Sequence, residues 1–332
     1  VIPIADTNFV EATWIMIVKS LVIFGVIFAI LPLMTVLERK LIGRFQHRYG
    51  PNRVGPFGIL QPLADVGKLL GKEAFMPANA IPTLFVLGPL LTVLSGVLAL
   101  AIIPWGDVQD GVGLYGIDVP IGILYFFAVG SIAFYGVLLG GWSSGSKYSL
   151  LGAMRGAAQL ISYEVSMGLA LLGAVMMAGS LSLVDVVHAQ GEVWFIVPQI
   201  VGFLIFMLAG FAETNRTPFD MPEADAELVQ GFMTEYGGMR FGSFLLVEYM
   251  EIIVVSGIAA AMFLGGWMGP GPGFLDPIWM LTKMLGLVLL FIWIRATLPR
   301  LRYDQLMSLG WKILLPLATL NVLVTAVLVV LT

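Results

Sequence analysis

Long apolar runs alternate with short polar segments along the whole chain. A helix needs about 20 residues to cross the hydrocarbon core of a bilayer. Eight stretches qualify: 14–37, 81–103, 119–139, 157–178, 193–212, 244–264, 277–297 and 311–331. The pattern predicts an all-α polytopic membrane protein, residues 1–332 forming a single membrane domain with eight transmembrane helices. A further apolar segment is too short to span. In 57–73 the apolar positions Ile59, Leu60, Leu63, Val66 and Leu70 leave Gln61, Asp65, Lys68 and Lys72 on one polar face. That spacing predicts a short amphipathic helix in the membrane interface. It serves either as a surface anchor or as the lip of an opening between helices.

The connecting segments sort by charge. Segments 1–13, 104–118, 180–192 and 265–276 contain no Lys or Arg, whereas 38–80 carries Arg39, Lys40, Arg44, Arg48, Arg53, Lys68 and Lys72. Loops 140–156, 213–243 and 298–310 add Lys147, Arg155, Arg216, Arg240, Arg300 and Arg302. The positive-inside rule makes these four loops cytoplasmic and puts both termini outside. The N-terminal run has no basic n-region and is too long for an h-region, so it is not read as a cleaved signal peptide. No solenoid repeat, low-complexity tract or pair of inverted halves is apparent.

Composition narrows the chemistry. Of 332 residues, 59% are apolar and 11% charged, against about 25% charged in soluble domains. Mean hydropathy is +0.96. A soluble enzyme is excluded, because its surface could not absorb so much apolar area. With no cysteine, disulfides, thiolate catalysis and cysteine-ligated iron–sulfur or zinc sites are excluded from this chain. The chain has only two histidines, His47 and His188. Any redox cofactor belongs to a partner.

Ionisable groups inside spans are costly and usually face the bundle interior. Glu164, beside Ser162 and Tyr163, lies in the fourth span; Glu213 ends the fifth; Glu248 and Glu251 share a face of the sixth. Desolvation suits such groups to holding and passing protons. The plainer alternative pairs each with a base, for which Lys283 and Arg295 are available. Lys19, in the first span, reads as snorkelling or paired. The loop ETNRTPFDMPEADAEL (213–228) gathers Glu213, Asp220, Glu223, Asp225 and Glu227 around Arg216, with Pro218 and Pro222 disfavouring helix. Such a run is a solvated acidic loop, a contact for a basic partner, or a hydrated funnel that exchanges protons. It has no calcium-loop spacing. The basic segment 38–73, punctuated by Gly50–Pro51 and Gly55–Pro56, either sets topology or forms an ordered docking surface. It contains neither a phosphate-loop lysine motif nor a dinucleotide fingerprint.

Four blocks carry a family resemblance: ERKLIGRFQHRYGPNRVGPFGILQPLADVGKLLGKE (38–73), GWSSGSKYSLLGAMRGAAQLISYEV (141–165), AETNRTPFDMPEADAELVQGFMTEYGGMRFGSFLLVEY (212–249) and RATLPRLRYDQLMSLGWK (295–312). The chain closely resembles the H-subunit family of proton-translocating NADH-quinone oxidoreductase, the bacterial respiratory complex I, with its mitochondrial counterpart NADH dehydrogenase subunit 1. Asp225 departs from the family's usual Glu in its P-E-x-E element and keeps the carboxylate on a shorter stem. The resemblance implies eight spans and an interfacial helix at the mouth of a quinone chamber, in a bacterial inner membrane with periplasmic termini. It implies no cofactor in this chain. FMN and iron–sulfur clusters would lie in partner subunits, and quinone would be reduced where the peripheral arm meets this chain. Carried over by motif, the chamber would involve Arg39, Phe45, Asp65, Lys68 and Phe232, and the adjoining acidic loop Arg216, Glu223, Asp225 and Glu227. Glu164, Glu213, Glu248 and Glu251 would carry protons toward antiporter-like subunits, with Tyr163 and Tyr236 in the same hydrated network. Arg300, Arg302 and Asp304 would hold the arm. Small membrane subunits, lipid and quinone are the other implied partners, with no nucleic acid. Rival readings are the homologous membrane subunit of an energy-converting hydrogenase or formate hydrogenlyase, and a stand-alone ion carrier.

Overall fold

A computed structural model of the protein describes residues 13–109, 112–223 and 225–331. Among these, seven helices are long and apolar enough to cross a membrane, so the chain is a polytopic helical membrane protein. In chain order the elements are α1 (Thr13–Phe45), α2 (Gln61–Gly71), α3 (Pro82–Leu100), β1 (Pro104–Gln109), β2 (Val112–Tyr115), α4 (Gly122–Ser143), α5 (Lys147–Ala178), α6 (Leu183–His188), α7 (Ile200–Glu213), α8 (Asp225–Leu228), α9 (Gly238–Phe263), α10 (Asp276–Thr297), α11 (Tyr303–Leu309) and α12 (Leu315–Leu331).

Several boundaries differ from the hydropathy pattern, because polar residues that favour helix extend the apolar cores. The helix expected over 14–37 runs on to Phe45 and carries Glu38 and Arg39 as its last turns. The loop expected at 140–156 is almost entirely helical. The helix α4 reaches Ser143, Gly145 turns the chain at φ +68°, and α5 starts at Lys147. Likewise α11 and a π-helical turn at Gly310–Leu314 replace most of the loop expected at 298–310 and lead directly into α12. The fifth stretch forms only a 14-residue helix, about 21 Å long at 1.5 Å per residue. Pro198 precedes it, and Gln199 has φ −115° and ψ 34° instead of helical angles. Turns at 195–199 continue the path, with the Ile196 amide donating to the Phe263 carbonyl.

The all-α expectation also needs a correction in the segment between the second and third spans. There β1 and β2 pair antiparallel in register Val108↔Gly113, with an irregularity toward Pro104↔Tyr115. This glycine-rich stretch has no helical period, and its Trp, Val, Leu and Tyr residues suit a ribbon. Residues 110 and 111, between the strands, lie outside the described set.

Packing centres on α9. Every residue from Ile252 to Phe263 is buried, against α3, α7, α10 and α6. Small residues allow the closest approaches, as is usual between membrane helices. A Cβ on Gly88 of α3 would lie 2.9 Å from the Gly140 Cα of α4. At Gly231 a Cβ would fall 1.6 Å from the Pro222 carbonyl oxygen. That glycine holds the 213–243 loop folded tightly on itself.

Candidate functional site

The loop after α7 folds inward. Gln159 of α5 pins it: the side-chain amide donates to the carbonyls of Ala212 (2.6 Å) and Phe219 (2.7 Å). The Leu301 amide holds the Pro218 carbonyl at 3.1 Å. The Thr217–Pro218 peptide is cis. These anchors drive Arg216 into the bundle, where its side chain is only 7% exposed.

Arg216 joins two acids from different helices. Its Nη1 lies 3.2 Å from Glu38 Oε1 of α1, and its Nη2 lies 3.1 Å from Glu248 Oε2 of α9. A guanidinium suits this bridging role, since its planar fork presents donors in two directions. Arg295 of α10 also pairs with Glu38. Tyr249 donates its hydroxyl to Glu38 Oε2 at 2.6 Å, and its ring lies 4.5 Å from the Arg216 guanidinium carbon. Two cations and two carboxylates thus balance, with Arg216 and Glu38 buried, Glu248 nearly so and Arg295 partly exposed. Glu223 abuts Glu248 from the loop. Burial pushes the Glu223 carboxyl well above the ordinary range; Glu248 and Asp220 push the same way and Arg216 opposes them. For Arg216, burial acts downward, but Glu248 and Glu38 outweigh it and keep the guanidinium charged.

A second group of acids continues from Glu248. Glu251 on α9 has Glu213, Glu248 and, opposing them, Arg216 as its charged neighbours, and Glu213 has Glu164. Glu213 Oε2 is buried without a hydrogen-bond partner. Glu164 is half-buried on α5, with the Ser131 hydroxyl of α4 at 3.4 Å from its Oε1. The order Glu164, Glu213, Glu251, Glu248, Arg216, Glu38 therefore crosses from α5 through α7 and α9 to α1. No basic residue is paired with Glu164, Glu213 or Glu251 in an ion pair among the described residues.

The two bases expected as plain counter-ions behave differently. Arg295 does pair, but with Glu38. Lys283 does not meet an acid: its ammonium donates to the Gly266 and Met268 carbonyls at 2.7 Å each and sits over the Trp194 ring. These carbonyls lie just beyond the C-terminus of α9, where a cation is favourable. Lys19 likewise bonds the Gly113 carbonyl and lies over the Tyr115 ring.

The remaining expected residues are spread over the same end of the bundle. Arg39 and Asp65 form a 2.6 Å ion pair between α1 and α2, with side chains 50% and 29% exposed. Partial burial raises the Asp65 carboxyl, but hydrogen bonds from Arg39 and Gln61 more than reverse this and hold it below the ordinary range. Lys68 is close enough to act on Asp65 electrostatically, and Phe45 is exposed at the end of α1. Phe232 instead packs inside an apolar cluster with Phe244 and Tyr236. Tyr236 stacks on Phe85 and donates to its carbonyl; burial pushes its hydroxyl up to about 12. Tyr163 donates to the Leu306 carbonyl at 2.8 Å. Glu227 lies at the surface, and its hydrogen bond from Arg155 holds it below the ordinary range. Arg302 and Asp304 pair with each other in solvent. The Asp225 side chain lies outside the described residues. His188 reaches Asp107 of β1 at 3.3 Å, far along the chain from these acids.

Sequence reasoning passed over Glu38 and Tyr249. Glu38 stands directly before Arg39 and Lys40 at the end of an apolar run, where an acid reads as part of a solvated basic loop. Helical spacing could have flagged it, since Glu38 lies four residues beyond the buried Met34. Tyr249 adjoins Glu248, and its neighbour drew the attention.

A polytopic helical bundle that holds an arginine–carboxylate cluster beside further interior acids has the costly buried charges that mark a functional site within a membrane. Comparison with known proteins narrows this. A family profile described as NADH dehydrogenase matches residues 18–326. A protein of Geobacter sulfurreducens named as H subunit 2 of NADH-quinone oxidoreductase is 54% identical, over 92% of this chain and 94% of its own. Its namesake in Syntrophobacter fumaroxidans is 49% identical over 96% and 97%. A protein of Thermomicrobium roseum named as the H subunit of NADH-quinone oxidoreductase is 48% identical over 91% and 92%. The chain belongs to this NADH dehydrogenase family.

Proposed function

We propose that this chain is the membrane subunit of a proton-translocating NADH-quinone oxidoreductase that forms much of the quinone chamber and links quinone reduction to a path of carboxylates. The observation that carries the reading is the continuous order of interior acids, anchored at one end by Arg216 and its partners. Reduction of a quinone consumes two protons, and a charge change beside Glu38 and Arg216 would alter the hold on Glu248. The resulting charge imbalance then biases Glu251, Glu213 and Glu164 in turn. That coupling is a two-state claim: Arg216 grips both acids in one state and one acid in the other. Glu164 sits at the outer side of the bundle beside exposed Ile161 and Val165. A carboxylate at such a boundary is expensive in lipid, which supports a neighbouring membrane subunit covering it.

In this reading α7 and the turns before it form the eighth span, α2 lies in the interface, and the loops at 38–80, 140–156, 213–243 and 298–310 face the cytoplasm. Both termini are periplasmic in a bacterial inner membrane. FMN and the iron–sulfur clusters sit in peripheral-arm subunits, and quinone is the substrate. Arg39, Phe45, Asp65 and Lys68 line the chamber mouth, with Phe232 shaping its wall through the apolar cluster around it. The tail portal lies between α2, α1 and α9. The exposed Tyr49 and Phe57 beside Arg44, Arg48 and Arg53 suit a contact with a soluble partner. The hydrogenase reading has no comparable support, since the named relatives above all carry the quinone enzyme's name.

The test uses purified complex from native membranes. Charge reversal at Arg48 and Arg53 together is expected to reduce the peripheral arm recovered with this subunit. Leu63→Trp on α2 is expected to impair long-tailed quinones more than short-tailed ones. Unchanged arm content, with equal effects on both quinones, would contradict the reading.

A further inference from the structure

A pocket of about 610 Å³ lies where α11 passes through the π-helical turn into α12. Its polar lining is Asp304, Gln305, Ser308 and Lys312, and its apolar lining includes Leu309 and Ile313. The four-residue spacing of Asp304, Ser308 and Lys312 places them in a row along one side of the helix. Just beyond this row the exposed side chains become apolar: Ile313, Leu317 and Leu320 are each at least 43% exposed. Trp311, half exposed, directs its indole N–H to the Ser162 hydroxyl at 3.1 Å, as an aromatic side chain at a membrane boundary does. The pocket thus mixes polar and apolar lining next to the apolar face of α12.

The charge balance selects among headgroups. Asp304 is already neutralised, because Arg302 holds both of its carboxylate oxygens, at 3.1 and 2.8 Å. Lys312 is exposed, and the local sum over Arg302, Asp304 and Lys312 is one positive charge. The donors left facing the pocket are an ammonium, a hydroxyl and a primary amide, a set that suits phosphate oxygens. Basic pockets between helices at the cytoplasmic boundary are a recurrent way of holding anionic lipid. The π-helical turn contributes by offsetting the row and widening the helix where Lys312 leaves it. Such turns often mark functional positions.

We infer that this pocket is a binding site for an anionic phospholipid, whose phosphate is held by Lys312, Ser308 and Gln305 and whose acyl chains lie against Leu309, Ile313 and the exposed face of α12. The inference rests on the membrane placement of α12 given above and not on the quinone chemistry. A lipid held here would fix the junction from α11 to α12. The Tyr163 hydroxyl bonds the Leu306 carbonyl of α11, so the lipid would also brace α5 at Tyr163.

The test measures phospholipid retained by the purified, assembled complex, using phosphatidylglycerol and phosphatidylcholine as probes. Wild-type complex stripped of lipid and resupplied is expected to retain phosphatidylglycerol in preference to phosphatidylcholine. Lys312→Gln should weaken that retention roughly fivefold, the contribution of one basic residue near a membrane surface, and Lys312→Arg should restore it. Photo-crosslinking of wild-type complex with a phosphatidylglycerol probe keeps the test decisive if Lys312→Gln fails to assemble. The expected adduct lies within residues 301–313. Equal labelling of this segment by a phosphatidylcholine probe, or labelling only elsewhere, would overturn the site. Loss of the peripheral arm from Lys312→Gln with phosphatidylglycerol retention unchanged would also overturn it, and would assign the pocket to a protein contact instead.

Discussion

The acids inside this bundle fall into two groups that solve the same problem differently. Glu38 and Glu248 are paired with cations: Arg216 bridges the two, and Arg295 also joins Glu38. Glu164, Glu213 and Glu251 lie among other carboxyls, with Arg216 near enough to act on Glu251. Counter-ions offset the charge of the first group, whereas the second group has no ion-pair partner among the described residues. Under the proposed function the contrast divides the work: the paired group would sense a charge change at the chamber, and the unpaired group would store and hand on protons.

The strongest way to break this contrast is to remove its central cation. Arg216→Met leaves Glu38 with Arg295 alone and Glu248 unpaired. Breaking a buried pair in this way costs about 3–5 kcal/mol, and assembled complex is expected to fall sharply on a native gel. Wild-type assembly would mean that the cluster is wetter than its geometry implies. Glu248→Gln should be milder, because Arg216 keeps Glu38 and the amide can still accept a hydrogen bond. Assembly is expected to survive while quinone reduction falls. Losses as severe as those of Arg216→Met would make Glu248 a structural residue only.

Glu223 sharpens the boundary between the groups, because it is a loop acid pressed against a paired one. Its carboxyl binds a proton more tightly in the folded protein than in the unfolded chain. Its stabilising contribution is therefore full below the ordinary glutamate value of about 4.3 and is lost as pH rises toward the raised folded value. Glu223→Gln mimics the protonated form. Thermal unfolding of the complex at pH 6 and pH 9 should show a smaller alkaline loss in the variant than in wild type. An identical pH dependence would show that Glu223 is ionised at both.

The smallest effect is expected at the exposed pair of the same surface. Arg39→Ala or Asp65→Ala removes an interaction worth about 0.2–1 kcal/mol. Since Asp65 is held below its ordinary value, that contribution is present at neutral pH and disappears only as pH falls through the folded value. Assembly should be unaffected at pH 7, and any loss of activity would report on quinone access. A thermal shift as large as that of Glu248→Gln would contradict the surface assignment.

Much of this arrangement was legible in the sequence, and the limits have physical causes. Glu164, Glu213, Glu248 and Glu251 stand out because charge in an apolar run is costly wherever it lies. Arg216 stands out as the only base among the acids of its loop. Which acid it would grip was not legible, because the answer depends on α1, whose contact with the loop lies 178 residues away. Glu38 was masked by its basic neighbours, and Lys283 looked like a counter-ion until α9 was seen to end where its ammonium could reach bare carbonyls. Helix ends were misjudged at Lys147 and Tyr303 because hydropathy marks where lipid begins, and these helices continue beyond it. The ribbon at 104–115 has too few residues for any periodic signal. Glu227 and Glu223 look alike in a dense acidic run; only the fold separates an exposed partner of Arg155 from a buried neighbour of Glu248.

The central claim is that the unpaired acids pass protons without holding the structure together. Glu213→Gln combined with Glu251→Gln tests it most directly, since both side chains keep their size and neither belongs to an ion pair among the described residues. The measurement is NADH-driven quinone reduction together with proton uptake, in vesicles containing the assembled variant complex. The account predicts normal assembly, with both rates reduced together because they share one obligatory charge movement. Wild-type rates in both assays would remove these acids from the mechanism, and failure to assemble would make them structural.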